Sequence, residues 1–115
     1  MNTHHQINYI EFQANDLGRI KTFYSTVFSW EFTDYGSEYL AFNDGGIEGG
    51  FAKSESTDRK SGSLVILYSE DLESSLAAIE SNGGSITKQI FSFPGGRRFH
   101  FIDPAGNELA IWSDK

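Results

Sequence analysis

The sequence predicts an α+β fold built from two tandem β-α-β-β-β modules, and three observations carry that expectation. Asp16-Leu17 and Asp71-Leu72 stand 55 positions apart, each behind a strand-like run and ahead of apolar residues at helical spacing. After each helical stretch come further short alternating runs separated by glycine-rich turns. The last of them, Arg98 to Trp112, reads as strand, turn, strand around Asp103-Pro104-Ala105-Gly106-Asn107. A hairpin of that kind is only marginally stable alone, so it must join a larger sheet.

In chain order, Ile7 to Ala14 alternates, with Asn8, Ile10, Phe12 and Ala14 on one face and Ile7, Tyr9, Glu11 and Gln13 on the other. Asn15-Asp16 supplies a helix N-cap. Leu17, Ile20, Phe23, Tyr24, Val27 and Phe28 then recur at spacings of three and four, giving an amphipathic helix. Trp30–Tyr35 and Glu38–Phe42 read as strands around Gly36-Ser37, and Asn43-Asp44-Gly45-Gly46 turns the chain into Ile47–Ala52. Module one thus spans residues 7–52. Residues 53–62 hold no large apolar side chain and read as a solvated linker.

Module two, residues 63–114, repeats the pattern. Leu64 to Tyr68 is a strand, Glu70-Asp71 a cap, and Leu72, Leu76 and Ile79 mark a helix that Gly83-Gly84 ends. Ser85–Phe93 is a strand and Pro94-Gly95-Gly96 a turn before the final hairpin. There Phe99, Phe101, Leu109 and Ile111 share the core side. Arg98, His100, Glu108 and Trp112 share the other, a mixture suited to lining a cavity.

Composition narrows the function classes. At 115 residues with 38% hydrophobic and 15% aromatic content, the chain folds as one globular domain. A net charge of −7 argues against nucleic acid; it serves solubility or draws a cationic ligand or partner. No run is long and apolar enough for a membrane span, and residues 1–6 lack the pattern of a signal peptide, so a cytoplasmic setting is expected. Without cysteine there is no disulfide, thiolate nucleophile or cysteine zinc site. His4-His5 lacks a partner at metal-binding spacing, Gly45-Gly46 and Gly49-Gly50 lack the setting of a phosphate loop, and no Gly-x-Ser-x-Gly is present.

The repeated unit, the stretch Asn15-Asp16-Leu17 through Phe23-Tyr24 to Val27-Phe28-Ser29-Trp30, and Asp103-Pro104-Ala105-Gly106-Asn107 together resemble the vicinal oxygen chelate superfamily. That family includes glyoxalase I, bleomycin-resistance proteins, fosfomycin-resistance enzymes and extradiol dioxygenases. The resemblance implies a cup-shaped, incompletely closed barrel, commonly within a homodimer. In metal-using relatives the first and last strands of each module supply one ligand apiece. The corresponding positions here hold Tyr9, Leu64, Ala110 and either Gly50 or Glu48. Leucine and alanine donate nothing, so no metal and no other cofactor are expected, and chemistry that needs a metal to polarise a carbonyl is disfavoured.

Projected onto that fold, the cup is lined by Tyr9, Glu11, Gln13, Leu64, Ile66, Tyr68, Arg98, His100, Glu108 and Trp112. His100 is a candidate acid–base group or a histidine bonded to Glu108 or Tyr68 for packing. Glu11 is a candidate base if apolar surroundings desolvate it, or else one half of a salt bridge with Arg98, or exposed to solvent if the cup is open. Tyr9, Tyr68 and Trp112 offer rings for a planar or cationic ligand, or fill the cup or a dimer interface. Gln13 and Glu108 are candidate ligand contacts. Arg98 suits a carboxylate or phosphate, unless Arg97-Arg98 is merely a solvated turn. The expectation is a metal-independent small-molecule-binding protein, probed against a lyase or isomerase using Glu11 and His100, or a metalloenzyme with displaced ligands.

Overall fold

Two aspartates start the two helices by the same local chemistry. In a computed structural model, which describes residues 3–5, 7–56 and 63–115, Asp16 and Asp71 both sit in extended backbone. Each carboxylate accepts a hydrogen bond at 3.1 Å from the backbone N–H three residues on, Arg19 and Ser74 respectively. Helices α1 (Leu17–Phe28) and α2 (Leu72–Ser81) follow. Gly83, at φ 95°, lets the chain leave α2, and the Gly84 N–H returns to the Ile79 carbonyl at 2.9 Å.

The described residues divide into two compact units, Met1–Thr57 and Asp58–Lys115. Unit one carries β1 (Tyr9–Ala14), α1, β2 (Glu31–Asp34), β3 (Tyr39–Asn43) and β4 (Glu48–Lys53). Unit two carries β5 (Val65–Tyr68), α2, β6 (Ser85–Phe93), β7 (Gly96–Ile102) and β8 (Glu108–Ser113). The sheet orders are β1-β4-β3-β2 and β5-β8-β7-β6, the same order in each unit, with the first and last strands parallel. The fold is α+β, two β-α-β-β-β modules.

Several edges differ from the sequence reading. Ile7 does not extend β1 and is 81% exposed, because pairing with β4 begins at Tyr9 opposite Glu48. Lys53 belongs to β4 opposite Ala14 and not to the linker. Arg97 and Arg98 lie within β7 and not in a solvated turn. Of the expected linker, residues 57–62 lie outside the described residues.

Each helix covers one face of its own sheet. In unit one, Tyr24 stacks on Trp30 (4.6 Å between ring centroids) and Trp30 on Phe42 (4.4 Å), while Phe51 meets Phe12 (5.1 Å) and Tyr24 (5.3 Å). In unit two, Leu72 and Ile79 of α2 are buried, as are Phe99, Phe101, Leu109 and Ile111, the expected core side of the hairpin. No helix among the described residues is long and apolar enough to cross a membrane.

The turn between β7 and β8 is organised by one buried carboxylate. Asp103 Oδ1 accepts from the Ala105 and Asn107 backbone N–H groups (2.8 and 2.9 Å), and Asn107 Nδ2 donates to Asp103 Oδ2 (3.1 Å). Gly106 takes φ 93° to close the loop. Asp103→Ala is expected to leave these buried donors without an acceptor and to cost about 1–3 kcal/mol in urea unfolding. A loss within error of zero would show that the turn holds itself.

Candidate functional site

Strand alternation leaves the face of each sheet away from its helix to the polar and aromatic residues. On unit one that face carries Tyr9, Glu11 and Gln13 of β1, with Glu48, Gly50 and Ala52 opposite them in β4. Tyr39 of β3 joins them, opposite Ala52. The Tyr9 and Tyr39 hydroxyls lie 2.5 Å apart, and Tyr39 donates to Glu11 Oε1 at 3.0 Å. A phenol has one proton to give, so the chain runs Tyr9 to Tyr39 to Glu11. Burial first, then the bonds to Tyr9 and Glu11, hold the Tyr39 phenol well above the usual tyrosine range. Glu11 itself is exposed, so the apolar surroundings expected to make it a base are not there.

On unit two the equivalent face is organised in cross-strand rows. One row runs Phe91, Arg98, Trp112, Tyr68 across β6, β7, β8 and β5. The next runs Lys88, His100, Ala110, Ile66. Side chains paired in this way share a face and touch. The Arg98 guanidinium lies 5.4 Å from the Phe91 ring centroid and 5.6 Å from that of Phe93. Trp112 meets Tyr68 edge to face at 5.2 Å and Phe93 at 6.4 Å. Tyr68 is 47% exposed, and its hydroxyl donates to Asp114 at 2.6 Å, which raises the phenol and lowers the carboxyl. His100 is buried, with Nδ1 3.5 Å from Glu108 Oε2. Glu108 is half exposed.

The structure therefore brings Tyr9, Glu11 and Gln13 onto one sheet face, and Tyr68, Arg98, His100, Glu108 and Trp112 onto another. Sequence reasoning missed Tyr39, Phe91 and Phe93. Phe91 and Phe93 alternate around Ser92 and so share a face with each other, but two register slips earlier in β6 hide which face that is. Tyr39 shows its place only through the pairing of β3 with β4.

The four positions of the expected metal ligands hold Tyr9, Leu64, Ala110 and either Gly50 or Glu48, the last an exposed carboxylate opposite Tyr9. Leu64 and Ala110 present hydrocarbon, and Ala110 is fully buried. The Tyr9 hydroxyl is committed to Tyr39. A Cβ at residue 50 would overlap the Tyr39 phenol, so that place is taken by a ring. Among the described residues no three His, Cys, Asp or Glu side chains are grouped to share an ion. A separate groove of roughly 660 Å³, between the start of α1 and the β2–β3 turn, is lined by Asp16, Asp34, Ser37 and Lys53 among others and holds none of the candidate side chains.

This arrangement has counterparts among known proteins. The model of the Glyoxalase/Bleomycin resistance protein/Dioxygenase superfamily matches residues 6–111. A "Glyoxylase-like domain-containing protein" of Didymella fabae is 33% identical over 120 residues, covering 94% of this chain and 93% of that one. Among solved structures, the genomically encoded fosfomycin resistance protein FosX of Listeria monocytogenes superposes with a TM-score of 0.82 at 17% identity, over 96% of this chain and 94% of that chain. A glyoxalase/bleomycin resistance protein/dioxygenase family enzyme from Burkholderia phytofirmans PsJN gives 0.79 at 16% identity, over 94% and 98%. At those identities the likeness to the solved structures is one of fold.

Proposed function

Because the chain belongs to the Glyoxalase/Bleomycin resistance protein/Dioxygenase superfamily, we propose that it is a small-molecule-binding protein that works without a metal and takes a planar aromatic ligand, aromatic cations included, on the open face of its second sheet. The observation that carries this reading is the row Phe91, Arg98, Trp112, Tyr68, with Phe93 beside it. There Phe91 and Phe93 flank the Arg98 guanidinium, Trp112 pairs with Arg98 across the strands, and Tyr68, nearly half exposed, meets Trp112 edge to face. Aromatic pairs of this kind are worth about 0.5–1.5 kcal/mol beyond the area they bury, so a ring added to the row gains from stacking as well as desolvation. Leu64 and Ala110, which offer no donor atom at two of the four ligand positions, support the metal-free part.

Three naphthalene derivatives of one shape test it: neutral 2-naphthamide, anionic 2-naphthoate and the cationic 2-naphthylmethylammonium ion. At least one is expected to raise the melting temperature and to change Trp112 emission, with Trp30 buried in the other unit and unaffected. Dialysis against EDTA is expected to leave both effects intact. Failure of all three compounds to bind would overturn the reading, and so would loss of binding with EDTA.

One observation favours a second reading, a lyase or isomerase using acid–base groups. His100 and Glu108 approach to 3.5 Å on the same face, an arrangement that can orient an imidazole for proton transfer. That version requires turnover abolished by His100→Ala while ligand binding persists.

A further inference from the structure

Two successive arginines in β7 meet opposite fates. Arg97 is satisfied on every side: Nη1 and Nη2 fork onto the Glu73 carboxylate (2.6 and 3.2 Å), and Nε and Nη2 donate to the Lys115 carbonyl (3.2 and 3.0 Å). That fork lowers the Glu73 carboxyl. Arg98, on the other face of the strand, has no carboxylate within ion-pair distance among the described residues, and its buried Nε has no hydrogen-bond partner. Two residues along the same face, His100 Nε2 is likewise buried and has no hydrogen-bond partner among the described residues. Native proteins rarely bury polar atoms unpaired, because each costs about 1–3 kcal/mol. Two of them on adjacent same-face positions point to a group that completes them.

The surroundings say what that group is. Phe91 and Phe93 attract the Arg98 guanidinium through their rings, while the hydrogen-bonding capacity of a guanidinium lies in its plane, at its edge. A planar anion with two acceptors fits such an edge, and the carboxylate is the plainest example. Among the described residues, the charged groups around this row are Arg98, Lys88, whose Nζ lies 5.9 Å from the Phe91 ring, Glu108 beside His100, Asp114 bonded to Tyr68, and Glu70, whose charge also acts on the Tyr68 phenol. The acidic balance of the rest of the chain is screened beyond about 8 Å at physiological ionic strength. Trp112, paired to Arg98 across the strands, and Tyr68 beyond it supply rings alongside.

We infer that Arg98, with His100 next to it, is the subsite for the acidic group of an aromatic carboxylate whose ring lies against Trp112 and Tyr68. This rests on the binding reading above and selects among its ligand classes: aromatic acids over neutral and cationic rings.

Titration calorimetry of the full chain with the same three compounds decides it. Wild type is expected to bind 2-naphthoate about tenfold more tightly than 2-naphthamide, as one charge-assisted pair would give. Arg98→Gln is expected to shrink that preference to about threefold or less, and Arg98→Lys, which keeps the charge but loses the fork, to leave part of it. Glu108→Gln, at a half-exposed position, is expected to strengthen 2-naphthoate binding by removing a nearby negative charge. Should the naphthamide or the ammonium compound bind as well as the naphthoate, the subsite assignment falls while the binding reading stands. It falls too if folded Arg98→Gln keeps the full preference, or, where that variant does not fold, if Glu108→Gln leaves naphthoate affinity unchanged. If none of the three binds, both readings fall together.

Discussion

Phe51→Ala is expected to remove about 3–5 kcal/mol from unit one, a large part of the 5–15 kcal/mol that holds a typical domain together. Phe51 is fully buried at the middle of β4, opposite Phe12 on one side and Leu40 on the other. Its ring lies 5.1 Å from Phe12, 5.3 Å from Tyr24 and 5.7 Å from Phe42. Deleting it therefore opens a void that flat, stiff neighbours cannot collapse into, and it breaks three ring contacts at once. The fall in melting temperature is expected to be on the order of 10–15 °C. Trp30 reports it, being 8% exposed within the same ring cluster, and a Trp112→Phe background isolates its emission. A loss below about 1 kcal/mol would mean that the helix–sheet core of unit one does not depend on this ring cluster.

Helix positions and strand faces were legible because they depend on local spacing. Asp16 and Asp71 announce their helices, and the split of Phe99, Phe101, Leu109 and Ile111 from Arg98, His100, Glu108 and Trp112 follows from a period of two. Strand ends were less so, because a strand stops where its partner does: Ile7 continues the alternation of β1 yet finds nothing opposite it. The open faces were legible only in part. In β6 the register slips between Ile86 and Lys88 and again between Lys88 and Phe91. Each slip breaks the simple alternation that a parity count relies on, so counting along the strand cannot tell which face Phe91 and Phe93 join. Glu11 stayed open between a desolvated base, a partner of Arg98 and an exposed group for a different reason. Its partner Tyr39 lies 28 positions away on a strand that is not its neighbour, and the carboxylate is exposed and receives that phenol.

The adjacent glycines of β4 test this division between core face and open face within two residues. At Gly49 a Cβ would overlap the Ile10 carbonyl oxygen and the ring of Phe42, whose Cε2 would be 2.6 Å away. Backbone cannot swing aside, and Phe42 is held by Trp30 stacked on it at 4.4 Å. Gly49→Ala is therefore expected to cost about 3 kcal/mol or more, through displacement of β1 from β4. At Gly50 the obstacle is the outer end of the Tyr39 side chain, which stands on the open face and is only half-buried. Tyr39 can rotate away, losing its bonds to Tyr9 and Glu11, so Gly50→Ala is expected to cost about 1 kcal/mol or less. Its mark is spectroscopic instead: once released from burial and from Glu11, the Tyr39 phenol loses a proton at lower pH than in wild type, and alkaline titration counts one more tyrosine in the ordinary range. Equal and severe destabilisation by both alanines would show that Tyr39 is part of the rigid core. In that case the phenol chain from Tyr9 to Glu11 would be packing, and the open face of the first sheet would begin elsewhere.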